Sequence, residues 1–220
     1  MTESKEFISR LLKYKNALTN FKKLGLVKVF SDNLGDATGL ASSQVRKDFS
    51  AFKITGNKRG GYSVDALIDK LDHILVGDKK QRVIVVGCGN IGRALIEYNG
   101  FHGEKLKIMA GFDINKAKWD PDAKVPIYPL ERMEDFVKKN QIKVGIIAVP
   151  ENDCATIYEK MAAAGIKGVL NFARVYIREA EGTVVDTVNI ELKIENLFYF
   201  VNALSKDHDY HKGKRLLHEG

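Results

Sequence analysis

Apolar residues return every three or four positions at the start of the chain. Phe7, Ile8, Leu11, Leu12, Leu18, Phe21 and Leu24 mark one face of an amphipathic helix over residues 4–24, with Gly25 as its stop. Residues 27–30 form a short apolar link. Ser31 is placed to cap a short helix that runs to Ala37 and ends at Gly39. Ser42 or Ser43 can cap a third helix that runs to about Phe52. Residues 55–62 carry three glycines and read as a tight turn with Lys58 and Arg59 at its tip. Ser63 opens a fourth helix through about Leu75, and residues 77–80 read as a linker.

The pattern then changes. Residues 83–86, Val-Ile-Val-Val, are a buried strand, and helix and strand alternate after it: 91–98, 107–112, 130–140, 144–149, 153–164 and 168–172. Such alternation predicts a parallel sheet with helices on both faces. Residues 183–188 add an edge strand. A last helix covers 190–204, where Ile190, Ile194, Leu197, Val201 and Leu204 form a seam that Leu192, Phe198 and Phe200 widen. A helix apolar over so much of its girth needs cover. A second subunit is the expected cover, and docking on its own sheet is the alternative. Residues 205–220 are polar, hold three of the five histidines, and read as a loose tail rather than a metal site.

Charge sharpens the division. Residues 1–62 hold 12 lysines and arginines against five acids, while the whole 220-residue chain carries only the same net charge, +7. A basic module joined to a neutral one points to a polyanion partner for the first. Two cysteines, Cys88 and Cys154, make neither a disulfide framework nor a zinc site, and a cytoplasmic setting is expected. No apolar run reaches the length of a membrane span, and the acidic start does not read as a signal peptide.

Two constellations carry chemistry. Gly87-Cys88-Gly89-Asn90-Ile91-Gly92 follows a strand and opens a helix, the setting in which G-x-G-x-x-G cradles a pyrophosphate on a helix N-terminus. The next strand ends in Asp113, 21 residues after Gly92. An acid there accepts bonds from the adenosine ribose and repels a 2′-phosphate, so NAD(H) is expected as cofactor. Cys88 reads as a small residue in the turn, with a thiol switch as the alternative. In the basic module, Ser43, Gln44 and Lys47 share one side of the third helix with Arg46 alongside, while Val45 and Phe49 face inward. Behind a short helix and a glycine turn, this is the layout of a helix-turn-helix reading helix, and the Lys58–Arg59 turn is its wing.

Together these pieces resemble the Rex family of redox-sensing transcriptional repressors. The resemblance spans about residues 5–204. It is carried by Gln44-Val45-Arg46-Lys47-Asp48, Gly61-Tyr62, Gly87 through Gly92 with Ala94-Leu95, Tyr98-Asn99-Gly100-Phe101, Phe112-Asp113, Ala148-Val149-Pro150, and Gly165-Ile166-Lys167-Gly168 through Asn171-Phe172-Ala173. It implies a winged-helix DNA-binding domain (1–78), a Rossmann-like NAD(H)-binding domain (79–188), a domain-swapped dimerisation helix (189–204) and a flexible tail (205–220). It also implies a homodimer that holds operator DNA in the presence of NAD+ and releases it with NADH, without enzymatic activity. By that resemblance Ser43, Gln44, Arg46, Lys47, Lys58 and Arg59 face DNA. Gly87, Gly89, Asn90, Ile91, Gly92 and Asp113 hold the dinucleotide, with Tyr98 near the nicotinamide.

The chain departs from the family at four positions. Asn16 stands where many relatives have arginine, Asn189 where they have aspartate, Arg174 where they have proline and Lys53 where they have glycine. The first two imply a weaker redox response. A different class of function, an NAD-dependent dehydrogenase with a basic appendage, would need an acid–base partner at the nicotinamide. Outside the tail only His73 and His102 could supply one.

Overall fold

The computed structural model describes residues 5–54, 60–75, 81–98 and 106–216, with side chains through residue 204. The expected wing tip with Lys58 and Arg59 and the stretch 99–105 lie outside the described residues, as does the linker. The chain divides into two compact units, Met1–Lys79 and Lys80–Gly220.

The first unit is built from α1 (Lys5–Lys23), α2 (Ser31–Thr38), α3 (Ser42–Ala51) and α4 (Val64–Leu75), with two short strands, β1 (Lys28–Val29) and β2 (Tyr62–Ser63). Residues 27–30, expected as a link, supply β1, which pairs antiparallel with β2 through Val29 and Tyr62. Leu11, Tyr14, Leu18, Leu34, Val45, Phe49, Leu67 and Leu71 form one core, closed by edge-to-face contacts of Phe49 with Tyr14 and Tyr62. Leu12 and Leu24, assigned to the apolar face of α1 from spacing, are instead exposed, and Tyr14 takes the buried place. The serine caps also differ. Ser31 and Ser42 are the first helical residues, and α2 is closed by Asn33, whose side chain accepts from the Phe30 N–H at 2.9 Å. Ser63 does cap α4, accepting from Ala66 N–H at 3.4 Å. Gly39 ends α2 in the left-handed conformation.

The second unit is a six-stranded parallel sheet: β3 (Gln81–Val86), β4 (Leu106–Asp113), β5 (Ile127–Pro129), β6 (Val144–Ile147), β7 (Gly168–Asn171) and β8 (Val184–Thr187), in the order β5-β4-β3-β6-β7-β8. Ile84, Val86, Ala110, Phe112 and Ile147 pack with Met133 and Val137 of α6 (Met133–Asn140) and Met161 of α7 (Glu151–Ala164). Val83, Val85 and Ile108 pack with Ile96 of α5 (Asn90–Glu97). Alternate residues of β3 thus serve two cores, and for that reason this strand reads as an unbroken apolar run.

Two expectations on this unit change, and one strand is unforeseen. The helix expected over 130–140 begins as a 3-10 turn, Leu130–Arg132. The three-residue β5, only Ile127–Pro129, has no apolar pattern long enough to be seen. The last helix, α8, runs Ile190–Leu216, so the segment read as a loose tail continues it. No proline interrupts those residues, and helix propagation continues without a stop.

Candidate dinucleotide cleft and nucleic-acid interface

In the second unit the strand order reverses between β4 and β6 on either side of β3, and ligands in such sheets sit at the C-terminal ends of the strands at this switch point. A cleft of about 790 Å3 opens there, lined by Gly87, Gly89, Asn90, Ile91, Asp113, Lys118, Ala148, Val149, Thr156 and Lys160 among others. The β3–α5 turn is fixed by its own glycines. Gly87 has φ +92°, and a side chain on it would strike the Ala148 carbonyl. A side chain on Gly92 would strike the Gly87 carbonyl. A side chain on Gly89 would meet nothing nearer than Lys118 Nζ, at 4.0 Å. The first and third glycines close the turn, and the second leaves its backbone open to an approaching phosphate.

Asp113 is buried, and its carboxylate accepts three hydrogen bonds. Its Oδ2 accepts from Cys88 N–H at 2.7 Å and from Lys118 Nζ at 3.0 Å, and its Oδ1 accepts from Asn115 N–H at 2.8 Å. Burial pushes the carboxyl up, but the Asn115 and Cys88 amides and the Lys118 ammonium outweigh it and hold the group below its ordinary range. A carboxylate has about four acceptor positions. A ribose diol must therefore use the one left, or displace Lys118. Sequence reasoning found the acid and missed its cation, because nothing in the spacing marks Lys118. Trp119 Nε1 donates to the Asp113 carbonyl at 2.8 Å and steadies the same turn.

Of the expected cofactor residues, Gly87, Gly89, Asn90, Ile91 and Asp113 line the cleft, and Gly92 buttresses it. Tyr98 does not line it. It stands at the far end of α5, 60% exposed. The Cys88 thiol is buried against the Phe112 carbonyl, and burial, with Asp113 adding to it, pushes it up to about 11. Buried and protonated near neutrality, it fits the reading of a small residue in the turn. His73 is exposed on α4, and His102 lies outside the described residues.

In the first unit, α2, the turn at Gly39 and α3 form a helix-turn-helix. Val45 and Phe49 are fully buried, whereas Ser43, Arg46 and Lys47 are exposed on the opposite face. Arg46 leans back toward Ser42, with Nη1 3.3 Å from its Oγ. Gln44 is half-buried. Its Nε2 donates to Asp48 Oδ1 at 2.7 Å. Asp48 is itself buried and bound from α1 by both nitrogens of the Arg10 fork, at 2.7 and 2.9 Å, and by the Tyr14 hydroxyl at 2.9 Å. Sequence reasoning missed this cluster, since Arg10, Tyr14 and Asp48 share no local spacing.

Three of the four departures have a local structural setting, and nothing in the structure explains Asn16. Lys53, after α3, has φ +54°, a conformation that favours glycine. Asn189 accepts from Leu192 N–H at 2.9 Å and so caps α8. Arg174 bridges Glu151, at 3.0 Å, and Glu191, at 2.6 Å, in the first turns of α7 and α8. Among the described residues no helix is long and apolar enough to cross a membrane, and no group of three potential ligands could hold a metal.

Comparison with known proteins agrees with both halves. Residues 4–50 match the family described as putative DNA-binding protein N-terminus, and residues 78–175 match the CoA binding domain family. The redox-sensing transcriptional repressor Rex of Streptococcus uberis is 33% identical over 197 residues, 88% of this chain and 92% of that one. The protein of the same name from Thermosipho africanus is 34% identical over 193 residues, 87% of this chain and 92% of that one. Among solved structures, RSP in complex with β-NADH superimposes with a TM-score of 0.83 at 27% identity, over 95% of this chain and 99% of that one. RSP in complex with β-NAD+ and operator DNA gives 0.82 at 27% identity, over 97% and 98%. With both units matched in order and nearly end to end, the chain belongs to the Rex family of redox-sensing transcriptional repressors.

Proposed function

We propose that this protein is a homodimeric repressor that binds operator DNA through the exposed face of α3 and releases it when NADH occupies the cleft of the second unit. It thereby reads the balance of NADH and NAD+ and is not an enzyme. The observation that carries the reading is the presence in one chain of two polyanion sites of different kinds. Ser43, Arg46 and Lys47 stand exposed on a reading helix. Gly89, Asn90 and Ile91 open a helix N-terminus beside Asp113 and Lys118. Gln44 reads a base edge, and Lys47 and the hydroxyls hold phosphates. Lys58 and Arg59 are assigned to phosphate contact by their charge.

Dimerisation rests on α8. Ile190, Ile194, Leu197, Val201 and Leu204 are each about half exposed or more, and Phe198 and Phe200 beside them are 63% and 58% exposed. Apolar area of this extent on one helix needs a partner, and the symmetric partner is a second copy.

The coupling is a free energy, typically 1–3 kcal/mol, by which NADH favours the dimer that cannot hold DNA. Fluorescence anisotropy on a duplex selected from a random pool, at fixed salt, tests it. NADH is expected to raise the dissociation constant more than NAD+ does, and equal effects of the two nucleotides would overturn the reading. Asn189 favours a second version in which the response is weak, because it caps α8 through Oδ1 with a neutral side chain and so lacks the charge that would strengthen a bond to a partner. Asn16→Arg with Asn189→Asp keeps a capping acceptor and should strengthen the response. No gain from the pair would exclude that version.

A further inference from the structure

Asp48 lies one helical turn after Gln44 on α3, and its carboxylate is saturated. Oδ2 accepts from Arg10 Nε and Tyr14 Oη, and Oδ1 accepts from Arg10 Nη2 and Gln44 Nε2. With its side chain only 3% exposed, it has no room to turn, and the α1 fork holds its plane. Burial pushes this carboxyl up, but its bonds from Arg10, Tyr14 and Gln44 outweigh that and keep it ionised at neutral pH. An ionised carboxylate only accepts hydrogen bonds. Gln44 must therefore turn its NH2 group inward, since the reversed amide would set oxygen against oxygen. The polarity of this amide is dictated by a residue that itself faces the core.

We propose that Asp48 is a positioning residue for sequence reading: it fixes the Gln44 amide with the carbonyl oxygen outward, so that Gln44 selects a base with an exocyclic amino donor in the major groove, adenine or cytosine, over guanine or thymine. Adenine N6 and cytosine N4 offer that donor, and guanine O6 and thymine O4 offer acceptors. The inference rests on the reading of α3 as the DNA-facing helix. Ser43, Arg46 and Lys47 are exposed, Arg46 leaning on Ser42 of its own helix, whereas the Gln44 amide is held from inside by Asp48.

The test is selection of the full-length protein on randomised duplexes, with base preference read position by position and affinity for random-sequence DNA measured alongside. Gln44→Ala should flatten one position per half-site that the wild type fills with adenine or cytosine. Asp48→Asn should flatten the same position at least fivefold, with affinity for random DNA within twofold of wild type. Tyr14→Phe removes a different bond to Asp48 and should leave the preference intact. In the free wild-type protein, the Gln44 side-chain amide should show one protected, downfield NH2 proton by NMR, a readout that does not depend on any variant folding. Retention of the preference in Asp48→Asn would overturn the proposal. So would equal loss in Tyr14→Phe, a wild-type guanine or thymine at the Gln44 position, or an unprotected Gln44 amide. If Gln44→Ala changes no position, the assignment of Gln44 to DNA falls, and the role of Asp48 falls with it.

Discussion

Each unit is organised by a buried aspartate, and the two differ in who supplies the donors. Asp48 takes side-chain donors from Arg10, Tyr14 and Gln44, residues on two helices. Asp113 takes backbone amides of Cys88 and Asn115, and only one side chain, Lys118. The reading helix is therefore anchored by exchangeable side chains behind an exposed face. The nucleotide turn is anchored by main chain, with glycines where any side chain would collide. Damage should be graded on the first and abrupt on the second, except where the reading helix meets its core.

That exception gives the largest expected effect. Phe49→Ala removes a fully buried ring that contacts Tyr14 and Tyr62 and should cost about 4 kcal/mol. A urea melt should show early loss of DNA binding with NADH binding retained. Next comes the nucleotide turn. Gly92→Ala drives a methyl into the Gly87 carbonyl. It should weaken NADH by about 100-fold or more, about 3 kcal/mol. Titration of NADH fluorescence checks this, with DNA affinity as the control that should not move.

Smaller effects sharpen the contrast. Lys47→Ala on the exposed face should weaken DNA of every sequence alike and lower the slope of log affinity against log salt by about 1 per subunit. A change confined to one base position would instead place Lys47 on a base edge. Lys53→Gly relieves a left-handed residue at φ +54° and should stabilise the first unit by about 1 kcal/mol, seen as a raised Tm. Near neutral pH the least effect is that of pH itself. Both aspartates are held below their ordinary range. Their contribution is complete above the unfolded value of about 3.9 and is lost as pH falls through the lowered folded values. Stability should therefore be flat from about pH 6 to 8 and fall below about pH 4, and Asp113→Asn should lessen the fall in the second unit.

The order of elements was legible in the sequence because periodicity is local. The run at 83–86, the glycine motif and the alternation after it place β3, α5, β4, β6, β7 and β8 with ends within a few residues. The same holds for the exposed side of α3, where Val45 and Phe49 define the buried side by themselves. Less legible were elements set by neighbours. The strand β5 is three residues long and exists because Gly111 to Asp113 offer it a paired edge. Tyr14 is absent from the apolar positions read on α1, yet it is buried with its hydroxyl on Asp48.

The chain's own pattern therefore determined two modules, a basic reading helix and a glycine cradle followed by an acid, since each is written in residues a few positions apart. Only the tertiary structure decided how the two aspartates are served. Arg10 and Asp48 lie 38 residues apart, and Cys88 and Asp113 lie 25 apart. Bonds of that span form when packed elements bring donor and acceptor within 3 Å away from water, and no periodicity along the chain encodes that meeting.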